Sequence, residues 1–296
     1  MDALPPPLPI GHPSRVALPR VTNRPLLWKE LNLGHSAEWL VMTDLGWLYF
    51  AVLVVFISMA CLITMGVGDE ESQLRSTLAG FTFFLIGMLG VILVIGAGLR
   101  AASSVTRERE QRTLESLCSV PVARLEILQT KWFGAIWRFR RTLLGLGILF
   151  ALAGFCGARL GFVALLLGTV ATHVVFAVSL GIFLSVVSRT TLRAYLSWAL
   201  VMIAVLAGSL LLGEFVNERT QYVLGIPSDR LRLLLQQCLN PLAAWLHLMS
   251  DAMRGRNEQA TLSPWGDLFG IQVYLLTALV LLLLANRRFR REGERE

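Results

Sequence analysis

Runs of about twenty apolar residues constrain this chain more than anything else in it, because a helix of that length crosses the hydrocarbon core of a bilayer. Six such runs stand out: Leu45–Val67, Leu78–Leu99, Thr142–Ala158, Leu160–Val187, Ala194–Gly213 and Leu268–Ala285. The first two carry no charge, and the third and fourth are parted only by Arg159. Inside lipid every backbone polar group needs an internal partner, and helices of this length supply one. The expected fold is therefore an all-α membrane protein, a six-helix transmembrane bundle. Composition agrees: 16% of residues are charged, against about 25% in soluble domains.

The charges that remain set the orientation. Of 27 Lys and Arg, 20 lie in residues 1–44, 100–141, 188–193 and the C-terminus, against seven in the alternate loops. By the positive-inside rule both termini and the 100–141 connection are cytoplasmic. Basic residues gathered at the ends of apolar runs do not make a Lys/Arg face on a folded domain, so no nucleic-acid partner is indicated. The four cysteines, Cys61, Cys118, Cys156 and Cys238, form no C-x-x-C pair and suggest neither a disulfide framework nor a metal site.

Residues 1–22 hold six prolines and no apolar core of signal-peptide length, and read as a disordered cytosolic tail. NRPLLWKELN, residues 23–32, reads as a short helix in the membrane interface: Asn23 suits a cap, Pro25 a first turn, and Trp28 and Lys29 the headgroup level. The membrane domain then occupies 23–285, and 286–296 is a basic cytosolic tail. Residues 214–266 form the long outer connection. Its stretch LRLLLQQCLNPLAAWLHLMS is apolar enough to suggest a seventh span. However, Arg232, Gln236, Gln237, Asn240, Pro241 and His247 would each need a partner in hydrocarbon. A pair of partly inserted, re-entrant outer helices broken at Asn-Pro is expected instead.

One cytosolic stretch is distinctive. Residues 105–132 read VTREREQRTLESLCSVPVARLEILQTKW, a charged segment between the second and third runs. Glu108 precedes Arg112 by four residues, the favourable order for a helical ion pair. Pro121 interrupts the pattern, and Leu125, Leu128 and Trp132 resume it at helical spacing. A helix–turn–helix finger joined stiffly to two spans can transmit force from a soluble partner. On periodicity alone a solvated helical face formed by Glu108, Arg109, Glu110 and Arg112 is the favoured reading.

The run T-R-E-R-E-Q-R-T-L-E-S-L-C-S-V-P-V-A-R-L-E-I-L-Q-T-K resembles the signature of type-2 ABC transporter permeases. Glu108 and Glu110 match the family's acidic pair, and Thr113, Leu114 and Glu115 match its Thr-Leu-Glu. Pro121, Arg124, Ile127, Leu128 and Lys131 match the helix that follows. N-R-P-L-L-W-K-E-L resembles the family's elbow helix, and the six-span layout is similar over nearly the whole chain. Arg112 stands where the family usually has glycine, which bears on the local backbone conformation.

The resemblance implies a permease subunit of an ATP-driven exporter, working by alternating access in the cell (inner) membrane. The finger would be the coupling helix, with Glu108, Glu110, Arg112, Thr113, Leu114 and Glu115 as its contact residues for a cytosolic ATPase. SRTTLR, residues 188–193, would be a second contact, and the outer segment would close the exit. A second permease, as homo- or heterodimer, is also implied.

Several absences narrow the chemistry. No G-x-x-x-x-G-K-[ST] occurs, so on the transporter reading that the resemblance implies ATP and Mg are expected on a partner ATPase and no cofactor on this chain. H-E-x-x-H is missing too, and the six runs lack Asp and Glu, which disfavours an intramembrane hydrolase or an ion-coupled relay. His173 is the one titratable group at depth; a neutral imidazole bonded to a neighbouring helix is expected over a functional group. The glycines of the spans read as close packing between helices. A non-transporting anchor or sensor that recruits a cytosolic partner through the same finger is the alternative, and a membrane-embedded enzyme a third. No residue identifies the cargo, although uncharged spans favour an amphiphile or apolar molecule over a multiply charged one.

Overall fold

The computed structural model describes residues 71–113, 124–155, 160–224, 239–253 and 265–292. Eight helices account for their regular structure: α1 (Glu71–Ser103), α2 (Thr106–Glu110), α3 (Arg124–Trp137), α4 (Arg140–Phe155), α5 (Leu160–Val187), α6 (Thr191–Leu224), α7 (Pro241–Met253) and α8 (Trp265–Glu292). The expected tail, elbow helix and first run at 45–67 lie outside the described residues, as do all four cysteines.

Four segments are long and apolar enough to cross a membrane: Thr82–Glu110, Leu160–Val187, Thr191–Leu212 and Gly266–Arg291. They answer to the runs expected at 78–99, 160–187, 194–213 and 268–285. The run expected at 142–158 is represented by α4, which has 16 described residues.

Helix α5 is the centre of the bundle and packs on α1, α8, α7, α6, α3 and α4. Of its membrane-length window 72% is buried, against 11% for α6. A helix covered on all sides can carry polar side chains only if they are satisfied locally. Thr169, Thr172 and Ser179 each donate to the carbonyl four residues back, at 2.8, 2.8 and 2.7 Å. His173 follows the same rule. Its Nδ1 lies 2.7 Å from the Thr169 carbonyl, and since a carbonyl only accepts, Nδ1 is the donor. The expected partner was a neighbouring helix; the shorter bond runs within α5, and the Trp245 indole N–H of α7 also stands 3.3 Å from the same nitrogen. Tyr274 of α8 and Trp245 of α7 stand edge-on to the imidazole, with centroids 4.6 and 5.8 Å away.

Small residues let α1 and α5 touch backbone to backbone. A Cβ placed on Gly181 would lie 2.5 Å from the Gly98 carbonyl oxygen and 2.8 Å from the Ala101 Cβ. The Gly98 position is occupied from the other side by the Trp198 ring of α6, whose Nε1 donates to the Ala177 carbonyl at 3.1 Å. Gly96 similarly receives the Phe139 ring, whereas nothing approaches Gly147 or Gly161. Close packing, expected of the span glycines generally, is thus tightest at the end of α1 that leads into α2, while a Cβ on Gly87 or Gly90, further back, would lie 3.1 Å from Met249 or Trp245 of α7.

Asn-Pro opens a helix rather than merely ending one. Asn240 accepts the N–H groups of Leu242 and Ala243 at 3.0 and 3.2 Å, with Pro241 at the first helical position. Its amide nitrogen reaches the Leu206 carbonyl of α6 at 3.4 Å. Nearby, His247 Nδ1 is 3.9 Å from Asp267 Oδ2. Asp267 is buried in the first turn of α8, one residue ahead of the apolar run expected to begin at Leu268. Sequence reading therefore passed over a buried carboxylate at the edge of a span.

Glycine packing is testable. Gly181→Ala forces α5 away from the α1 backbone and should lower stability by about 1–3 kcal/mol, the usual cost of overpacking. Gly161→Ala, in open space, should stay within about 0.5 kcal/mol. Thermal unfolding of the two variants in detergent checks the contrast.

Candidate functional site

The polar residues of the finger gather where α1, α2, α3, α5 and α6 meet. Helix α1 stops at Ser103, and Ser103 and Ser104 donate their hydroxyls to the Arg100 and Ala101 carbonyls at 3.0 and 2.7 Å. This competition of serine with the helical ladder favours a turn. The chain resumes at once as α2, a five-residue helix with no side-chain cap of its own. Its leading N–H groups, of Val105 and Thr106, instead meet Ser185 Oγ of α5 at 2.9 and 3.1 Å. All three residues are fully buried, so no water competes for those donors.

Three successive side chains of α2 then reach three different helices. Glu108 Oε1 accepts from Lys131 Nζ of α3 at 2.8 Å, and the same ammonium lies 3.3 Å from the Ser104 carbonyl. Arg109 donates to the Ser188 carbonyl at 2.6 Å and to that of Val186 at 3.4 Å, at the C-terminal end of α5. Glu110 accepts the N–H of Thr191 on one carboxylate oxygen and its hydroxyl on the other, both at 2.7 Å. Thr191 is the first residue of α6, and Thr190 caps the same turn by accepting the Arg193 N–H at 3.4 Å.

The electrostatics are complementary at each contact. A helix C-terminus carries partial negative charge and an N-terminus partial positive charge. The cation Arg109 sits on the former and the anion Glu110 on the latter, across a turn of three residues, 188–190. Glu110 lies beyond the apolar part of α1 and is exposed, and the backbone N–H of Thr191, then its hydroxyl, holds its carboxyl below the usual carboxylate range. A depressed carboxyl makes its contact fully above its unfolded value and loses it as pH falls through the lowered one. The Glu110–Thr191 contact is accordingly present at neutral pH.

The finger then ends in a Schellman turn. Thr113 N–H bonds the Glu108 carbonyl at 3.0 Å and Arg112 N–H bonds the Arg109 carbonyl at 3.1 Å. Arg112 takes φ 55°, in the left-handed region. This corrects the sequence expectation of a continuing helix with a Glu108–Arg112 ion pair. Helix α2 closes at Glu110, Arg112 is the turn residue, and Glu108 pairs with Lys131. It also gives a physical reason for glycine at that position in the family the sequence resembles, because only glycine enters that region without a Cβ penalty.

Of the six candidate residues, Glu108 and Glu110 are brought into one network, and Arg112 and Thr113 stand exposed at its edge. Leu114 and Glu115 lie outside the described residues. Sequence reasoning missed the contact roles of Arg109, Ser185 and Thr191, and did not pair Lys131 with Glu108. Partners about 80 residues apart leave no periodic signal. The one available hint is opposite charge on adjacent residues beside the short 188–193 link.

These features define a multi-pass helical membrane component whose polar machinery is gathered at one end of its bundle, with no nucleotide-binding loop in its sequence. The sequence matches the family described as ABC-2 family transporter protein over residues 38–293, and the chain belongs to that family. No curated protein matches the chain. The family comprises membrane permeases that lack an ATPase domain, so membership implies a separate ATPase partner.

Arg112→Gly should relieve the left-handed strain and raise stability by about 1 kcal/mol. Arg112→Val, branched at Cβ, should lower it by at least as much. Detergent-phase melting temperatures of the two variants, shifted in opposite directions, are the check.

Proposed function

We propose that this chain is the permease subunit of an ATP-driven exporter in the cell membrane, and that the α2 finger is the part on which the ATPase pushes. ATP binding draws two ATPase subunits together, the fingers move, and the bundle passes from inward-open to outward-open. Six spans, cytoplasmic termini, an elbow helix, re-entrant outer helices and a second permease belong to this reading. The excess of Lys and Arg on one side supports the orientation, and family membership supports the ATPase partner.

The observation that carries the coupling role is the wiring of Glu108, Arg109 and Glu110 to α3, α5 and α6. A displaced α2 must either drag these helix ends or break charge-assisted bonds. It also divides the candidate residues. Glu108 and Glu110 hold the permease's own helices, which leaves Gln111, Arg112 and Thr113, exposed at the tip, to face the ATPase. Leu114 and Glu115 continue that tip in sequence.

Glu110→Ala removes both hydrogen bonds of the α2–α6 contact, whereas Thr191→Val removes the hydroxyl bond and leaves the backbone N–H of residue 191 on Glu110. Both should leave membrane insertion and ATPase copurification intact while lowering the permease-dependent part of the complex's ATPase rate several-fold. The double variant should lose no more than Glu110→Ala alone. Full ATPase rates in both single variants would refute the wiring as the route of coupling.

A further inference from the structure

A cavity of about 110 Å³, partly open to the outside, lies among α1, α5, α6, α7 and α8. Val94 of α1 and Phe176 of α5 form part of its wall, Val205 and Leu206 of α6 another part, and Trp245 and Tyr274 close it. No charged side chain lines it, and its surface is almost wholly apolar. An apolar cavity of about 150 Å³ stays dry and takes a benzene ring, so this one suits a ring or a few carbons of a chain.

Three features distinguish it from a packing defect. First, its wall is built. Trp245 is 4% exposed and its ring is seated on Gly90, where a Cβ would lie 3.1 Å from two ring carbons. Second, His173, itself a lining residue and 5% exposed, has an Nε2 with no hydrogen-bond partner among the described residues. Trp245 Nε1 faces only the imidazole Nδ1 at 3.3 Å, and that nitrogen is already a donor to Thr169. Third, the α6 part of the wall belongs to the helix that Glu110 holds at its first residue and Asn240 holds at the Leu206 carbonyl.

We propose that this cavity is a binding site for the uncharged aliphatic or aromatic part of a molecule, entered one chain or one ring at a time. The binding follows from the cavity alone; its assignment to a transported molecule rests on the exporter reading above. A charged group would be desolvated there without a counter-charge, which excludes it. Two sources share this chemistry, a bilayer lipid chain and an amphiphilic cargo. Because the α6 wall is tied to the finger, movement of α2 would alter the cavity.

The test uses the full chain purified in detergent, without any ATPase, and 1-bromohexane as the probe, since bromine quenches a neighbouring indole. The signal is the emission difference between the wild type and Trp245→Phe. It should fall saturably with probe, and 6-bromohexyltrimethylammonium should act at least tenfold more weakly. Val205→Phe fills the cavity and should weaken the probe roughly tenfold, about the value of the apolar contact removed. Val205→Ala, which enlarges it, should retain saturable quenching. Displacement by added dioleoylphosphatidylcholine assigns the site to a lipid chain, and saturable quenching that the lipid leaves unchanged assigns it to cargo. Quenching that rises linearly, that is equal for the charged probe, or that Val205→Phe leaves untouched would overturn the proposal. A failure here leaves the coupling reading standing, because no ATPase takes part; failure of the Glu110 and Thr191 variants to uncouple leaves this binding standing.

Discussion

Where one long helix ends and another begins within three residues, two sets of unsatisfied backbone groups of opposite sign face the same small volume. That is the situation at the α5–α6 turn, and much of the structure around it is a response. The last carbonyls of α5 and the first N–H of α6 cannot be served by one side chain type. Arg109 and Glu110 are neighbours of opposite charge on a helix of a single turn, so their side chains diverge toward the two helix ends. Reversing the pair would set like sign against like at both contacts.

Docking α2 there places a demand on the packing beneath it. Its first N–H groups have no cap of their own and rely on Ser185, which is reached only if α1 and α5 are in backbone contact just before the turn. Gly98 and Gly181 provide that contact. The same approach admits Trp198, whose indole ties α6 to α5 beside the finger. Helix α6 is otherwise little buried; it packs on α1 and α5 and is hydrogen-bonded to Glu110 at its start, through Trp198 within its second turn and to Asn240 at Leu206. In the coupling proposed above, a helix so little covered shifts more readily than one covered along its length, so α6, rather than α5, is the element expected to respond to the finger.

Much of this arrangement was legible in the sequence, and the limit falls at a physical boundary. Apolar length is a local property, and the run at Leu160–Val187 became a helix with those same ends. Asn240 and Pro241 announced a break, and the chain starts a helix there. Contacts between distant residues are not local. Glu108 had an i, i+4 partner in Arg112 only if the helix continued, and the chain left the helix one turn early, through a residue with a Cβ where glycine is the low-cost choice. Lys131, 23 residues on, then took the pairing. Of the finger's candidates, Glu108 and Glu110 were found because a family resemblance singled them out; Arg109 was not, because beside two glutamates it reads as an ordinary surface charge. His173 was found as the one titratable group of the runs, but the rings of Trp245 and Tyr274 around it come from helices some 70 to 100 residues away.

The use of Glu108 and Glu110 within the chain bears on what a partner can grip. A carboxylate already bonded to a buried lysine, or to the first turn of another helix, is a poor primary contact for a second protein, since binding it would first break the internal bond. In the coupling proposed above, the partner therefore holds the exposed tip at Gln111, Arg112 and Thr113, and the acidic pair passes on what the tip receives. The Schellman turn suits that division. Two backbone hydrogen bonds fold the tip onto Glu108 and Arg109, so a force applied at Thr113 reaches the Glu108 carbonyl through one bond and Lys131 through one more. An extended loop at the same place would absorb such a displacement; a closed helical turn transmits it.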